Sequence, residues 1–365
     1  MKYFFKKFTV FYIMVGLVLT PFEGLAATKK HRKAPSVSTI KHGYTAKSKK
    51  SSYKRVQYKR VTIRKPHQLR ETSPLIAADR YDGSSPLTLA STKALIVNQN
   101  TNEIIYAKNT NAPAPIASVT KLMTAMVVLE SGVDMQEVVT VTNDDVDYLK
   151  GTSSRLPLGT RLTRNDMLHL ALIASENRAA SVLATTFPGG KAKFVQLMNQ
   201  KAQSLGMTNS YFVDSTGLNS NNVSTAEDLV KMVNAAHHVK EIHNISTMAS
   251  HEVYLANRHA PTLFRNTNIL VRNGGDWNIG LSKTGFINEA GRCLVMQANL
   301  AGEPVIMVLL DSNGKYSRIG DANRIKKWVE HHNQVTASQQ AELDTMVDKM
   351  VVEELDDSVS VGQVY

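Results

Sequence analysis

Among the 365 residues there is one cysteine, Cys293. No intrachain disulfide can form, so the fold must rest on its apolar core. Cys293 also lies far from the N-terminal junction described below, which rules out lipid attachment there. Past the N-terminal region no apolar run is long and uniform enough to cross a bilayer. No internal repeat is visible. Metal-ligand spacings are missing too, since His237-His238 and His331-His332 are adjacent pairs that point apart. Neither a metal nor a cofactor is expected. Acids are wholly absent from residues 29–70, which hold 15 Lys and Arg.

That asymmetry divides the chain. Lys2, Lys6 and Lys7, an apolar run over 8–19 and the small-residue end Gly24-Leu25-Ala26-Ala27 have the layout of a secretory signal peptide over 1–27. Cleavage is expected near Ala26 or Ala27, which would place the protein in the periplasm. Residues 28–85 read as a basic, disordered arm and linker, too poor in aliphatic side chains to offset the entropy of ordering. After export, nucleic acid is no partner for such an arm. Anionic envelope polymers or lipid head groups match its charge, with a plain solubilising spacer as the competing reading. Residues 71–330 hold 24 bases and 23 acids, so the globular part, set at 86–330, is nearly neutral despite a formal net charge of +12. The last segment, 331–365, has one base and seven acids. It can form one helix with apolar positions at Leu343, Met346, Val347, Met350 and Val351, and is expected to dock on the core.

Within 86–330, alternation and turn residues predict strands at 94–97 and 103–106 and a short one at 138–141. Helices are predicted at 122–129, closed by Gly132, at 163–174 with Thr163 as cap, and at 178–186, 191–205 and 225–237. Strands return at 279–286, 292–298 and 305–310, and the last core helix covers 318–328. Strands at both ends with apolar helices between them predict an α+β fold, its sheet joining early and late chain around a mostly helical insert.

The helix at 122–129 is apolar on almost every face, which marks it as buried. Its first turn carries Ser118 and Lys121, three residues apart and so on one face within hydrogen-bond reach. A lone buried ammonium is costly. A partner charge or loss of the proton relieves it, and a neutral lysine beside a serine is a base beside a nucleophile. The spacing alone is cheap, since Ser38–Lys41, Ser51–Lys54 and Ser312–Lys315 share it. Only the Ser118 copy opens an apolar helix; a capping serine and a snorkelling lysine are its bland alternative.

Two further stretches complete a constellation. Ser175-Glu176-Asn177 falls between two helices, although Ser220-Asn221-Asn222 repeats the Ser-x-Asn pattern. Lys283-Thr284-Gly285 lies on a predicted strand, where the bare Gly285 lets another backbone approach. The order Ser-x-x-Lys, Ser-x-Asn, Lys-Thr-Gly resembles the low-molecular-mass penicillin-binding proteins, D-alanyl-D-alanine peptidases, over about residues 86–330. The resemblance implies a β-lactamase/transpeptidase-like fold: an antiparallel sheet flanked by helices, an inserted helical subdomain, and the active site between them.

The resemblance also implies roles. Ser118 would be the nucleophile, Lys121 a neutral proton acceptor depressed by burial and by Lys283, Ser175 a proton relay, and Asn177 a holder of substrate and of Lys121, with the role of base shared across this network. Backbone N–H groups of Ser118 and Phe286 would form the oxyanion hole. Thr284 and Lys283, beside Gly285, would bind a carboxylate on the leaving side, with Arg318 as a further carboxylate ligand. Peptidoglycan peptide stems become the implied substrate and β-lactam antibiotics the covalent inhibitors. Phe286 stands where some carboxypeptidase relatives have histidine, and 331–365 is too short for their extra β domain. Both features resemble the short endopeptidase branch, with a carboxypeptidase as the alternative. A β-lactamase would need a deacylating base, and no Glu-x-x-Leu-Asn stretch supplies one. A wall-binding or β-lactam-sensing protein without catalysis is the remote alternative.

Overall fold

The structure is a computed structural model that describes residues 81–256 and 258–360, the last ten by backbone alone. The expected signal peptide, nearly all of the basic arm and residues 361–365 lie outside the described residues. Five antiparallel strands form the central sheet: β1 (Ser91–Asn98), β2 (Ile104–Lys108) and, late in the chain, β9 (Asn278–Ile287), β10 (Gly291–Leu300) and β11 (Glu303–Ser312). Their order is β2-β1-β11-β10-β9, so the N-terminal hairpin joins the C-terminal strands through β1 and β11. The remaining strands are short pairs: β3 (Ala114–Pro115) with β6 (Val223–Ser224), β4 (Val138–Thr140) with β5 (Arg161–Thr163), and β7 (Ser250–Val253) with β8 (Thr262–Arg265).

Both faces of the sheet are covered, which is why β1, β10 and β11 are largely apolar on either side. Leu95, Val97, Val295, Ile306 and Val308 face a core built from α1 (Lys121–Glu130), α2 (Arg164–Ile173), α3 (Asn177–Thr185), α4 (Gly190–Ser204) and α5 (Ala226–His237). Ala94, Ile96, Met296 and Leu309 face the other way, onto Ile319, Ala322, Ile325 and Val329. Those four belong to the C-terminal helix, Ser317–Ser360, which follows the short helices α6 (Lys240–Ser246) and α7 (Ile269–Asn273) and is labelled α8. This is the α+β arrangement expected, with the helical segment inserted between the two parts of the sheet.

Local chemistry sets the boundaries. Thr163 and Thr225 cap α2 and α5 by accepting the N–H of Asp166 and Asp228. Gly132 takes φ +71° just past α1, a value that favours glycine. Fully buried Asp321 on α8 accepts the N–H of Ala90 at 2.9 Å and of Ser91 at 2.7 Å, and so ties the start of β1 to the helix.

One expectation fails. The acidic segment does not dock on the core but continues α8 in the same helix, leaving Leu343, Met346, Val347 and Met350 at least half exposed. Length explains this. A 44-residue helix runs about 66 Å, whereas a ten-residue strand offers about 33 Å to pack against. No glycine or proline occurs between Asp321 and Ser360 to turn the chain back.

Candidate active site

Two left-handed residues frame the site. Ala117, at φ +48°, opens the 3₁₀ turn Ala117–Thr120 that carries Ser118 into the start of α1. Ser175, at φ +56°, sits where the chain leaves α2 for α3. Such values are unusual for residues with a Cβ and tend to occur where backbone strain serves a site.

Lys121 is fully buried, and its Nζ reaches Ser118 Oγ at 2.9 Å, Asn177 Oδ1 at 2.8 Å and the Thr216 carbonyl at 2.6 Å. Two of these partners can only accept. Asn177 Nδ2 donates to Thr152 Oγ1 at 3.3 Å, which keeps its oxygen turned to the lysine. A neutral amine has two protons and one lone pair. The protons go to Asn177 and Thr216, so the lone pair falls to Ser118, whose hydroxyl must then donate. In this way the arrangement aims a basic lone pair at the Ser118 hydroxyl.

The Thr216 carbonyl is held by its own turn. Asp214 Oδ1 accepts the N–H of Thr216 and of Gly217, each at 2.6 Å, and buried Asn222 ties the turn to Thr120 Oγ1 at 3.0 Å. The Ser-x-Asn repeat ending at Asn222 is thus a structural anchor behind the Ser118 turn. Gly217, at φ +81°, lies so close that a Cβ there would fall 1.9 Å from the Ala117 carbonyl oxygen.

The sheet supplies the opposite wall. Lys283 on β9 is buried and donates to Ser175 Oγ at 2.8 Å and to the Thr284 carbonyl at 3.0 Å, bridging helices and sheet. Gly285 meets the nucleophile's turn: a Cβ there would sit 2.9 Å from the Ile116 carbonyl oxygen and 3.2 Å from Ser118 N. Here the missing side chain admits a second backbone, as its place on a strand suggested. Phe286 follows on this edge strand. Thr284 Oγ1 bonds Thr267 Oγ1 at 2.7 Å. Arg318 begins α8, largely buried, with an Nε that has no partner. A cavity of about 250 Å³ opens beside Asn177 and Thr216, rimmed by Thr152 and the exposed Tyr148.

Burial drives the Lys121 pKa down to about 7, against the carboxylates of Asp214 and Glu176, which raise it. The neighbouring charges therefore oppose the shift instead of adding to it, contrary to the role expected for Lys283. The charge of Lys121 acts the other way round. Lys283 is held well below its ordinary value by burial first, then by Lys121 and Arg318. We expect acylation of Ser118 to rise with pH through about 7 as Lys121 loses its proton, which stopped-flow capture of a β-lactam between pH 5 and 9 would measure. The same shift has a sign for stability. An unfolded lysine keeps its proton to about 10.5, so the unfolded chain binds more protons between the two values and stability rises with pH across that window.

The residues singled out from the sequence gather into two linked groups, Ser118–Lys121–Asn177 and Ser175–Lys283, with Thr284, Gly285, Phe286 and Arg318 along the sheet side. Sequence reasoning missed the Thr216 carbonyl, the Asp214 carboxylate that positions it, and Glu176, which is buried and accepts the Ser154 hydroxyl. Asp214-Ser215-Thr216-Gly217 has the composition of a turn, but nothing local ties it to Lys121.

Residues 81–314 match the peptidase S11 family, described as D-alanyl-D-alanine carboxypeptidase. A D-alanyl-D-alanine endopeptidase of Pseudomonas aeruginosa is 46% identical over 249 residues, 68% of this chain and 80% of its own. One from Escherichia coli is 46% identical over 242 residues, 66% and 78% of the respective chains. Among solved structures, a DD-transpeptidase of Streptomyces superposes with a TM-score of 0.61 at 27% identity, covering 67% of this chain and 98% of its own.

Proposed function

We propose the reaction from one premise: this chain belongs to the peptidase S11 family, the D-alanyl-D-alanine carboxypeptidases, and is a serine hydrolase. On our reading it is a D-alanyl-D-alanine endopeptidase that opens cross-links between peptidoglycan stems and is captured covalently by β-lactams. The observation that carries the reading is the buried Lys121, whose lone pair is left to Ser118 once Asn177 and Thr216 have taken its protons.

The steps follow from the contacts. Ser118 Oγ gives its proton to Lys121 Nζ and attacks the D-alanyl carbonyl. The oxyanion forms against the N–H groups of Ser118 and Phe286, which Gly285 allows to lie side by side; losing one such donor costs on the order of 100- to 1000-fold in rate. Ser175, hydrogen bonded to Lys283, relays the proton taken up by Lys121 to the leaving nitrogen as the C–N bond breaks, which leaves Lys121 neutral again. Water then attacks the acyl-enzyme and gives its proton to Lys121, which returns it to Ser118 Oγ as the acyl C–O bond breaks, freeing the carboxylate product. Thr284, Lys283 and Arg318 hold the carboxylate of the leaving residue; the unpartnered Nε of Arg318 supports that role. Asn177 serves both Lys121 and the substrate amide.

The assignment to cross-links rests on the two endopeptidases named above, on Ser-Glu-Asn as the second motif and on Phe286 after Lys-Thr-Gly. We place the peptidase domain at 86–330 and the signal peptide at 1–27, giving a periplasmic enzyme; no described helix is long and apolar enough to cross a membrane. The reading of 29–70 as a ligand for anionic envelope polymers rests on its charge alone.

Digestion of purified sacculi, with chromatographic separation of the muropeptides, tests the activity. Cross-linked dimers are expected to disappear as monomers accumulate. Conversion of pentapeptides to tetrapeptides with dimers untouched would replace this reading by the carboxypeptidase one.

A further inference from the structure

Three cations meet on the leaving-group side with no carboxylate in ion-pair reach among the described residues. Lys283 is occupied by Ser175 and a backbone carbonyl. Arg318 is 9% exposed, reaches only the Lys315 carbonyl at 3.5 Å, and leaves its Nε unpartnered. The Arg292 guanidinium makes neither a hydrogen bond nor an ion pair among the described residues; its carbon lies 4.4 Å from the centre of the Phe286 ring. Burial first, and then the Arg292 charge, lower the Arg318 pKa.

The backbone around Arg292 is shaped for this placement. Arg292 pairs with Phe286 across β9 and β10, so the two side chains share one face. Gly291 before it takes φ +61°, and a Cβ there would fall 2.5 Å from Asp311 Oδ1. Asp311 in turn takes φ +50° where the register of β10 and β11 shifts. Such an irregularity re-aims the side chains beside it. Stacking on a half-exposed ring contributes little energy by itself. Its greater effect is to fix the plane of the guanidinium, with N–H groups free to fork onto a carboxylate.

We propose that Arg292, laid on Phe286, is a specificity-determining residue that takes a second carboxylate, carried by a long leaving strand. The inference rests on the reaction proposed above. A leaving D-alanine has one carboxylate, held by Thr284, Lys283 and Arg318, and a methyl side chain that goes no further. A leaving peptide stem continues outward over Phe286 and ends in a carboxylate of its own. Arg292 is the next cation on that path.

The test compares kcat/KM for a cross-linked muropeptide dimer and for a pentapeptide ending in D-alanyl-D-alanine, using the full chain. In Arg292→Met the dimer-to-pentapeptide ratio is expected to fall about tenfold, mostly through KM, and in Arg292→Lys about threefold. A dimer whose leaving strand is amidated at that carboxylate should show the same tenfold loss with the wild-type protein and no further loss with Arg292→Met. The amidated substrate keeps the test independent of whether a variant folds. An unchanged ratio, or losses that multiply, overturns the inference while leaving the activity standing. If the wild-type chain cuts neither substrate, the proposed reaction fails and this inference falls with it.

Discussion

Ser118→Ala is expected to lose all covalent capture of β-lactam and to cut cross-linked dimers on the order of 10⁴- to 10⁶-fold more slowly than the wild type. The fold should survive, because the change removes one of three partners of a buried Lys121 while Asn177 and Thr216 remain. Lys121→Arg makes the complementary case. A guanidinium sits on a similar stem but is always charged and cannot give up its proton, so acylation should collapse to a similar degree although Ser118 is intact. Intact-mass spectrometry after mixing with penicillin reads both variants. An acylated Ser118→Ala protein would end the assignment of the nucleophile, and a fast Lys121→Arg variant would end that of the base.

The second large effect is expected from a residue with no functional group. Gly217→Ala adds one methyl group at φ +81°, 1.9 Å from the Ala117 carbonyl oxygen and 2.9 Å from Ser118 N. The turn bearing the nucleophile must move. We expect a stability loss of about 2–4 kcal/mol, from backbone strain and overpacking together. Acylation should slow on the order of 100-fold, since a displacement near 1 Å at reacting atoms has that effect. Gly132→Ala is the control: it sits at φ +71° with nothing within 4 Å of the added atom, so it should cost about 1 kcal/mol and leave acylation alone. Urea unfolding and acylation rates, measured side by side, separate the two. Equal losses in both variants would show that the contact with Ala117 is not what fixes Gly217.

Where the chain was legible, periodicity carried it. The sheet strands and the helices α1 to α5 begin and end within a few residues of their sequence-based positions, because most have a largely apolar face and several a threonine cap or a glycine near one end. The hairpin of β7 and β8 and the helices α6 and α7 went unassigned. Stretches such as Ser250-His251-Glu252-Val253 carry no clear period. They are held from outside, partly by buried Asn266, whose Nδ2 donates to the Ser246 carbonyl at 3.0 Å and the Met248 carbonyl at 2.9 Å. The exposed extension of α8 was misjudged for the opposite reason. Its apolar positions suggested docking, but a helix without a break follows its own axis past the end of the sheet.

By itself the sequence determined that Ser118 and Lys121 share one helix face, that the helix is buried, and that two other motifs of the right type lie downstream. Those are consequences of spacing and composition, which act within a few residues. The tertiary structure alone decided which way the lysine's lone pair points. Its two protons are taken by Asn177 and Thr216, 56 and 95 residues away, and the Asp214 turn that presents the Thr216 carbonyl has no local reason to be there. Hydrogen-bond direction in a buried site is set by whichever acceptors the fold brings to it, and no reading of neighbours along the chain contains that information.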